Sequence, residues 1–279
     1  MRAARLRLRP DMTSKPASLT QETPLTGDFD SYFNYQRAVG RNVVVPALAA
    51  HIDLHGLAAA EFGCHSGGIV QALAADGRVA SCVGYELNAD VLAASPFVGD
   101  ESFRLEHLDL LELEIEERFD VVLLCEVLEH IPDTERLISI AVRALRPGGH
   151  LLVTFPPYWS AFGGHQQVAS TRLRLIPYAH YLPNSVFFRL AAVQDNAYMR
   201  AASAIDDMAS VRRTRLTLGA AERAFTEAGL QTIARELWLV RPEHEIRFNM
   251  RRRRARLAGR TLGLREVVVT GAMYLLRRP

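Results

Sequence analysis

The chain has 279 residues, 49% of them hydrophobic, and a formal net charge of +2. That composition supports a sizeable core and excludes global disorder; no apolar run reaches the roughly 18 residues needed to cross a bilayer, and the basic opening "MRAARLRLRP" lacks the apolar stretch of a secretory signal. Residues 241–279 carry eleven arginines against three acidic residues, beside a weakly acidic middle, which is not the footprint of a dedicated nucleic-acid binder but leaves room for a local anionic partner.

Residues 1–27, rich in Pro, Thr, Ser and Arg, show no periodicity and read as a flexible arm ahead of one domain at 28–279. Residues 28–56 carry helical patterns, expected to break near Pro46. From 57 onward short strands alternate with helices: strands at 58–63, 80–86, 103–107, 119–125 and 149–155, and helices at 67–76, 88–94 and 133–145. Asn88 and Asp133 stand where N-caps are needed. The strand "FDVVLLC" is apolar on both faces, as a central parallel strand must be. This rhythm predicts an α/β fold, a parallel sheet with helices on both faces. Residues 157–216 interrupt it as a lid insertion with some helical character at 185–210. A helix at 217–230 closing near Gly229, a strand "QTIARELWLV", a basic insertion at 241–266 and a final strand "VVVTGAMYLLRR" complete the chain.

The stretch "AAAEFGCHSGGIVQALA", residues 58–74, is the most informative. A glycine-rich bend between strand and helix brings backbone N–H groups close to a ligand. A P-loop needs Gly-Lys-Ser/Thr, and the chain's one lysine is Lys15. A dinucleotide site wants G-x-G-x-x-G; here Glu61, Gly63 and Gly67 stand in E-x-G-x-x-x-G. The second strand ends in "VGYELN", and a carboxylate at Glu86 can accept both hydroxyls of a ribose. Asp109, after the third strand, can accept from an adenine amino group or simply cap a turn.

Five stretches in order, "EFGCHSGG", "VGYELN", "HLDLLEL", "FDVVLLCEVLEHIPD" and "LRPGGHLLVTFP", make the chain resemble the class I S-adenosylmethionine-dependent methyltransferases of small-molecule type. The resemblance is close over roughly 57–157 and looser over 217–279. It implies a Rossmann-like, doubly wound, seven-stranded and mostly parallel sheet with one antiparallel closing strand. It implies S-adenosyl-L-methionine as cofactor. Gly63 and Gly67 would border its methionine part, with Glu61 near the amino group; Glu86, with Leu87 beside it, would bind the ribose; Asp109 and Leu110 would flank the adenine. Cys125 and Glu126 would approach the methionine moiety, and His130 would face the same region.

Parallel strands place ligands beyond their C-terminal ends. The insertions at 157–216 and 241–266 both follow such ends and are expected to form a lid and acceptor pocket. In "FPPYWSAFGGHQQ", Tyr158, Trp159 and Phe162 offer apolar walls, Gly163 and Gly164 let the backbone approach a ligand, and His165 is placed to take a proton as general base. Tyr178, His180 and Tyr181 are further acceptor contacts. His65 is given no chemistry. Cys64, Cys82 and Cys125 form no C-x-x-C pair, so no metal site is expected. The run Arg251, Arg252, Arg253 and Arg254 suits an anionic surface, or is a solvated charged face. The leading expectation is methyl transfer to an oxygen of a small-molecule acceptor, in the cytoplasm and with no nucleic acid as partner. Transfer to nitrogen without a base, and a non-catalytic cofactor-binding protein, stand as alternatives.

Overall fold

The computed structural model describes residues 31–112, 114–116, 118–192, 194 and 201–279; the arm expected at 1–27 lies outside them. Helix α1 (Tyr32–Val39) starts on Ser31, whose side chain accepts from the Asn34 N–H. It runs into a π-helical turn (Gly40–Val44) and then α2 (Val45–Ala49). The expected break at Pro46 does not occur. Pro46 lies at the start of α2, where the wider turn before it absorbs the missing N–H.

The alternating segment follows as β1 (Ala58–Phe62), α3 (Gly68–Asp76), β2 (Ser81–Glu86), α4 (Ala89–Ala93), β3 (Phe103–His107), β4 (Phe119–Cys125), α5 (Thr134–Ala144) and β5 (Leu145–Phe155). Asn88 and Asp133 cap α4 and α5 through their side chains, as expected. The lid holds α6 (Asn184–Leu190) and α7 (Ala201–Thr214), two helices where the sequence suggested one region. The chain ends with α8 (Leu218–Glu227), β6 (Gln231–Val240), α9 (Pro242–Phe248), β7 (Arg253–Arg254), α10 (Leu262–Val268) and β8 (Gly271–Arg277).

The sheet order is β3-β2-β1-β4-β5-β8-β6-β7. β1 to β5 are mutually parallel, and β8 runs antiparallel between β5 and β6. Among the described residues the sheet has eight strands rather than seven, because the basic insertion adds β7, two residues paired antiparallel to β6. The final strand also starts later than expected. Val267 and Val268 belong to α10, which is fixed from outside: Glu266 accepts from the N–H groups of Leu218 and Gly219, and Arg265 pairs with Glu222. Those long-range bonds override the strand preference of three consecutive valines.

Each strand divides its side chains between two cores by its two-residue period. Val122 and Leu124 face α5 and α8, with Leu137, Ala141, Ala221 and Phe225. Val121 and Leu123 face α1 to α3, with Val44, Leu48, Val70 and Leu73. Full burial of each such side chain contributes about 1.5–3 kcal/mol. α1 lies directly on α3: a Cβ on Gly68 would stand 2.5 Å from Gln36 Cβ, and one on Gly40 2.6 Å from Ala72 Cβ. The lid has a small core of its own, including Leu173, Phe187 and Met208. Among the described residues no helix is long and apolar enough to cross a membrane.

Candidate functional site

The bend after β1 is built by backbone geometry. The N–H groups of Gly63 and Cys64 both donate to the Tyr85 carbonyl, at 2.8 and 3.0 Å. Gly63 and Gly67 take φ of +75° and +78°, the left-handed region that costs other residues about 1–2 kcal/mol. A Cβ on Gly63 would come within 2.5 Å of Val127 Cγ2, and one on Gly67 within 2.8 Å of both δ-carbons of Leu105. At both positions the positive φ favours glycine, and at Gly63 the Val127 side chain also stands where a Cβ would lie.

Glu86, at the tip of β2, closes over this bend. Its Oε2 accepts from the His65 N–H at 2.8 Å and its Oε1 from the Asn88 N–H at 2.9 Å. Each oxygen keeps a lone pair for one hydroxyl of a diol. Glu61 is 1% exposed; burial drives its carboxyl well above the usual carboxylate range, although the Val70 N–H counteracts, and its Oε2 has no partner. An unpartnered buried carboxylate oxygen, a paired acid at the second strand tip and a bend that admits no side chain fit the amino group and ribose of the expected cofactor. The remaining expected contacts are more mixed. Asp109 Oδ1 accepts from the Leu111 N–H at 2.9 Å, the turn cap that the sequence allowed. Leu110 is buried, whereas Leu87 is 62% exposed.

At the end of β4, Cys125 is half-buried and its thiol is pushed well up by burial. Glu126 has φ +58° and its Oε2 accepts from Arg241 Nη1 at 2.5 Å. Burial alone would lower the Arg241 value, but Glu126 and Glu243 outweigh it and hold the guanidinium charged. From above, α1 brings Tyr32, whose ring meets that of His65 at 4.6 Å. Burial raises the Tyr32 phenol, and the charges of Glu126 and Asp207 add to the effect.

The lid supplies the other wall. His165 is 7% exposed, and its Nδ1 lies 2.8 Å from Asp207 Oδ2 on α7. Burial would lower the His165 value, but the charge and hydrogen bond of Asp207 raise it above the ordinary histidine range. Asp207 responds in the opposite sense: burial raises it, yet His165 holds it low. His130, in the turn after β4, lies with its ring 5.1 Å from that of His165. Its Nδ1 is 2.7 Å from Ser210 Oγ, one turn along α7 from Asp207, and burial lowers its value to about 4. Glu129 borders both rings; it is 2% exposed, with neither oxygen partnered and its carboxyl pushed well up by burial and by Glu126. Glu129 Oε1 is 3.9 Å from the Nε2 of each histidine. Glu129, His130 and His165 thus offer three ligand atoms within 4.8 Å of one another.

The aromatic contacts expected around His165 separate into two places. Tyr158 is 3% exposed, edge-on to Trp159 and His180. Phe162 is half-buried. Trp159, Tyr178 and Tyr181 form a cluster on the outside of the lid: the Tyr181 hydroxyl donates to the Trp159 carbonyl at 2.5 Å, and the Tyr178 hydroxyl to the Val267 carbonyl at 3.4 Å. The expectation for the glycine pair needs correction. A Cβ on Gly163 would meet the carbonyls of Pro157 and Tyr158 at 2.3 Å, and one on Gly164 would meet His180 Cβ at 2.0 Å. The close approach is by the lid's own chain. In the arginine run, Arg252 pairs with Glu245 at 2.9 Å, and Arg254 pairs with Glu236 and lies over Trp238; all four arginines are exposed.

Sequence reasoning did not find Asp207, Ser210, Glu129, Arg241 or Tyr32. Glu129 was visible inside "EVLEHIPD". Asp207 is 42 residues from its histidine, in a helix that carries no motif.

Residues 60–151 match a family model described as a methyltransferase domain. A ubiquinone biosynthesis O-methyltransferase of Methylococcus capsulatus is 33% identical over 107 residues, covering 37% of this chain and 44% of the relative. One of Xanthomonas oryzae is 30% identical over 112 residues, covering 38% and 46%. The matched stretch spans less than half the length of these curated relatives. Among solved structures, an S-adenosylmethionine-dependent methyltransferase of Mesorhizobium loti superposes with a TM-score of 0.51 at 17% identity, over 84% of this chain and 96% of its own. The [4+2]-cyclase SpnF superposes equally well, 0.51 at 15% identity, over 87% and 82%. At such identities the likeness is one of fold.

Proposed function

The chain carries a class I S-adenosylmethionine-dependent methyltransferase domain, and from that premise we propose that it transfers a methyl group to an oxygen of a small-molecule acceptor. The observation that carries the reading is the His165–Asp207 pair. It sits on the lid beyond the C-terminal ends of β4 and β5, with His165 Nε2 unpartnered and facing Glu129.

S-adenosylmethionine, when bound, supplies a methyl group on a positively charged sulfur. The chain's own residues then have three tasks: to orient, to exclude water and to hold a proton. Glu86 and the 63–67 bend would orient the adenosyl end, and Glu61 the amino end. The lid excludes water, with α7 clamped over the turn at Leu128–His130 through Asp207 and Ser210. An acceptor hydroxyl approaching Glu129 would surrender its proton at His165 Nε2. Asp207 is a positioning residue in this scheme: its hydrogen bond keeps the proton on Nδ1 and leaves Nε2 as the basic nitrogen. The ubiquinone biosynthesis relatives act, by name, on oxygen, which supports the same choice of atom.

Incubation with methyl-labelled S-adenosylmethionine and a panel of phenols, alcohols and amines tests the reading. Label should appear on a hydroxylated acceptor, and His165→Ala should lower kcat by about 10²–10⁴ with cofactor affinity retained. Transfer to amines alone, with His165→Ala nearly as active as the native chain, would replace it by nitrogen methylation.

A further inference from the structure

We propose that the outer face of the lid is a docking surface for an anionic lipid bilayer. The inference goes beyond methyl transfer: it concerns where the chain is held, and it uses neither the cofactor bend nor the His165–Asp207 pair.

The face is apolar where the lid's own folding does not require it. Trp159, Leu175, Ile176, Tyr178, Tyr181 and Leu182 are each 36–68% exposed. The Tyr181 ring stands 5.4 Å from that of Trp159 and 5.5 Å from that of Tyr178, and the three aliphatic residues flank these tyrosines in the chain. Beneath them Leu173, Ala179 and Phe187 already fill the lid's small core, so the outer set is surplus to it. Exposed large apolar residues are ordinary one at a time, whereas a contiguous group marks an interaction site. The face is also preformed. Tyr178 holds φ +61°, its N–H donates to the Ala161 carbonyl at 2.6 Å, and its hydroxyl ties the loop to Val267 on α10.

Charge selects the partner. Residues 157–194 contain three arginines, Arg172, Arg174 and Arg189, and no aspartate, glutamate or lysine. All three are exposed, and among the described residues none has a carboxylate partner. A second copy docked on the same face about a two-fold axis would set these arginines against one another. An anionic bilayer accepts them at its headgroups, takes tryptophan and tyrosine at the interface, and receives Leu175 and Ile176 at the acyl boundary. The run Arg251–Arg254, which the sequence alone favours for such a surface, suits it less: Arg252 and Arg254 are already paired with Glu245 and Glu236.

The test is flotation of the full chain with vesicles of phosphatidylcholine, alone or mixed with phosphatidylglycerol, together with tryptophan emission and without cofactor or acceptor. The chain has two tryptophans, Trp238 at 5% and Trp159 at 36% exposure, so a shift of emission reports the lid. The expected result is flotation with the mixed vesicles, a blue shift, and quenching by lipids brominated along the acyl chain. Arg172→Ala and Arg174→Ala should each weaken binding about fivefold. Leu175→Gln combined with Ile176→Gln should weaken it about tenfold or more, with folding monitored by circular dichroism. A native chain that does not float, that binds phosphatidylcholine equally well, or that floats with unchanged emission overturns the proposal. So does flotation that survives the Leu175 and Ile176 replacements but is lost in Arg251→Ala with Arg253→Ala, which would place the contact on the basic insertion. A lipid-free dimer in sedimentation that the Leu175 and Ile176 replacements dissociate also overturns it, assigning the face to a second copy. Because flotation needs no turnover, a chain that binds vesicles but transfers no methyl group defeats only the functional reading.

Discussion

Replacing Glu86 by Gln tests the adenosyl half of the site with a change of one atom. In the native chain both carboxylate oxygens accept backbone N–H groups, from His65 at 2.8 Å and Asn88 at 2.9 Å. An amide can satisfy one of them; its NH₂ must then face the other donor. A buried donor left unpaired costs about 1–3 kcal/mol. Glu86 is half-buried and the Asn88 side is open to water, so the lower end, ~1 kcal/mol, applies. For a chain of this size that lowers the Tm by about 2–4 °C. The ribose would lose one charge-assisted hydrogen bond, worth about 1.5–3 kcal/mol, or roughly 10–150-fold in Kd. Calorimetric titration with S-adenosylhomocysteine, beside a melting curve, measures both. A Glu86→Gln chain that binds within twofold of the native one would refute the placement of the ribose on this carboxylate.

Gly63→Ala combines a left-handed φ of +75° with a contact of 2.5 Å to Val127 Cγ2; the expected loss is about 2–4 kcal/mol, read as a lower denaturant midpoint. Arg212 donates to the carbonyls of His180 and Leu182 and to Asn184 Oδ1, and lies 4.3 Å over the Phe187 ring. Arg212→Ala should lose about 3 kcal/mol locally, with hydrogen-exchange protection falling in α6 and α7 but not in β1–β5. Glu222 accepts from Arg265, Tyr274 and Arg235. Burial raises its carboxyl, but those bonds, Arg265 first, outweigh burial and hold it below the usual range. A depressed folded value means stability that is present above the unfolded carboxyl pKa of about 4.3 and lost as pH falls through the folded value. The Tm difference between the native chain and Glu222→Gln should therefore be largest near neutrality and shrink below about pH 4; a difference independent of pH would contradict it.

The sheet was legible because its strands are short apolar runs separated by glycine turns and capped helices. "FDVVLLC" needs burial on both faces and receives it from two helical layers. The cofactor half was legible for a related reason: Gly63, Gly67 and Glu86 are close in sequence and bound to one strand tip each. The acceptor half was not. Whether Trp159, Tyr178 and Tyr181 face inward or outward depends on how the lid folds on its own small core, and their side chains carry no periodic signal of it. His165 could be named from its residue type, but Asp207 acquires its role only when α7 crosses the turn after β4. The valines before β8 misled because an ion pair and backbone hydrogen bonds to α8, distant in sequence, decide that segment.

The placement of the cofactor bears most of the account, and a crystal structure with S-adenosylhomocysteine tests it most directly. Ribose hydroxyls on Glu86, with the sulfur turned toward Glu129 and His165, are what the account predicts. A crevice that stays without ligand at saturating concentration, or a sulfur turned away from the lid, would contradict it.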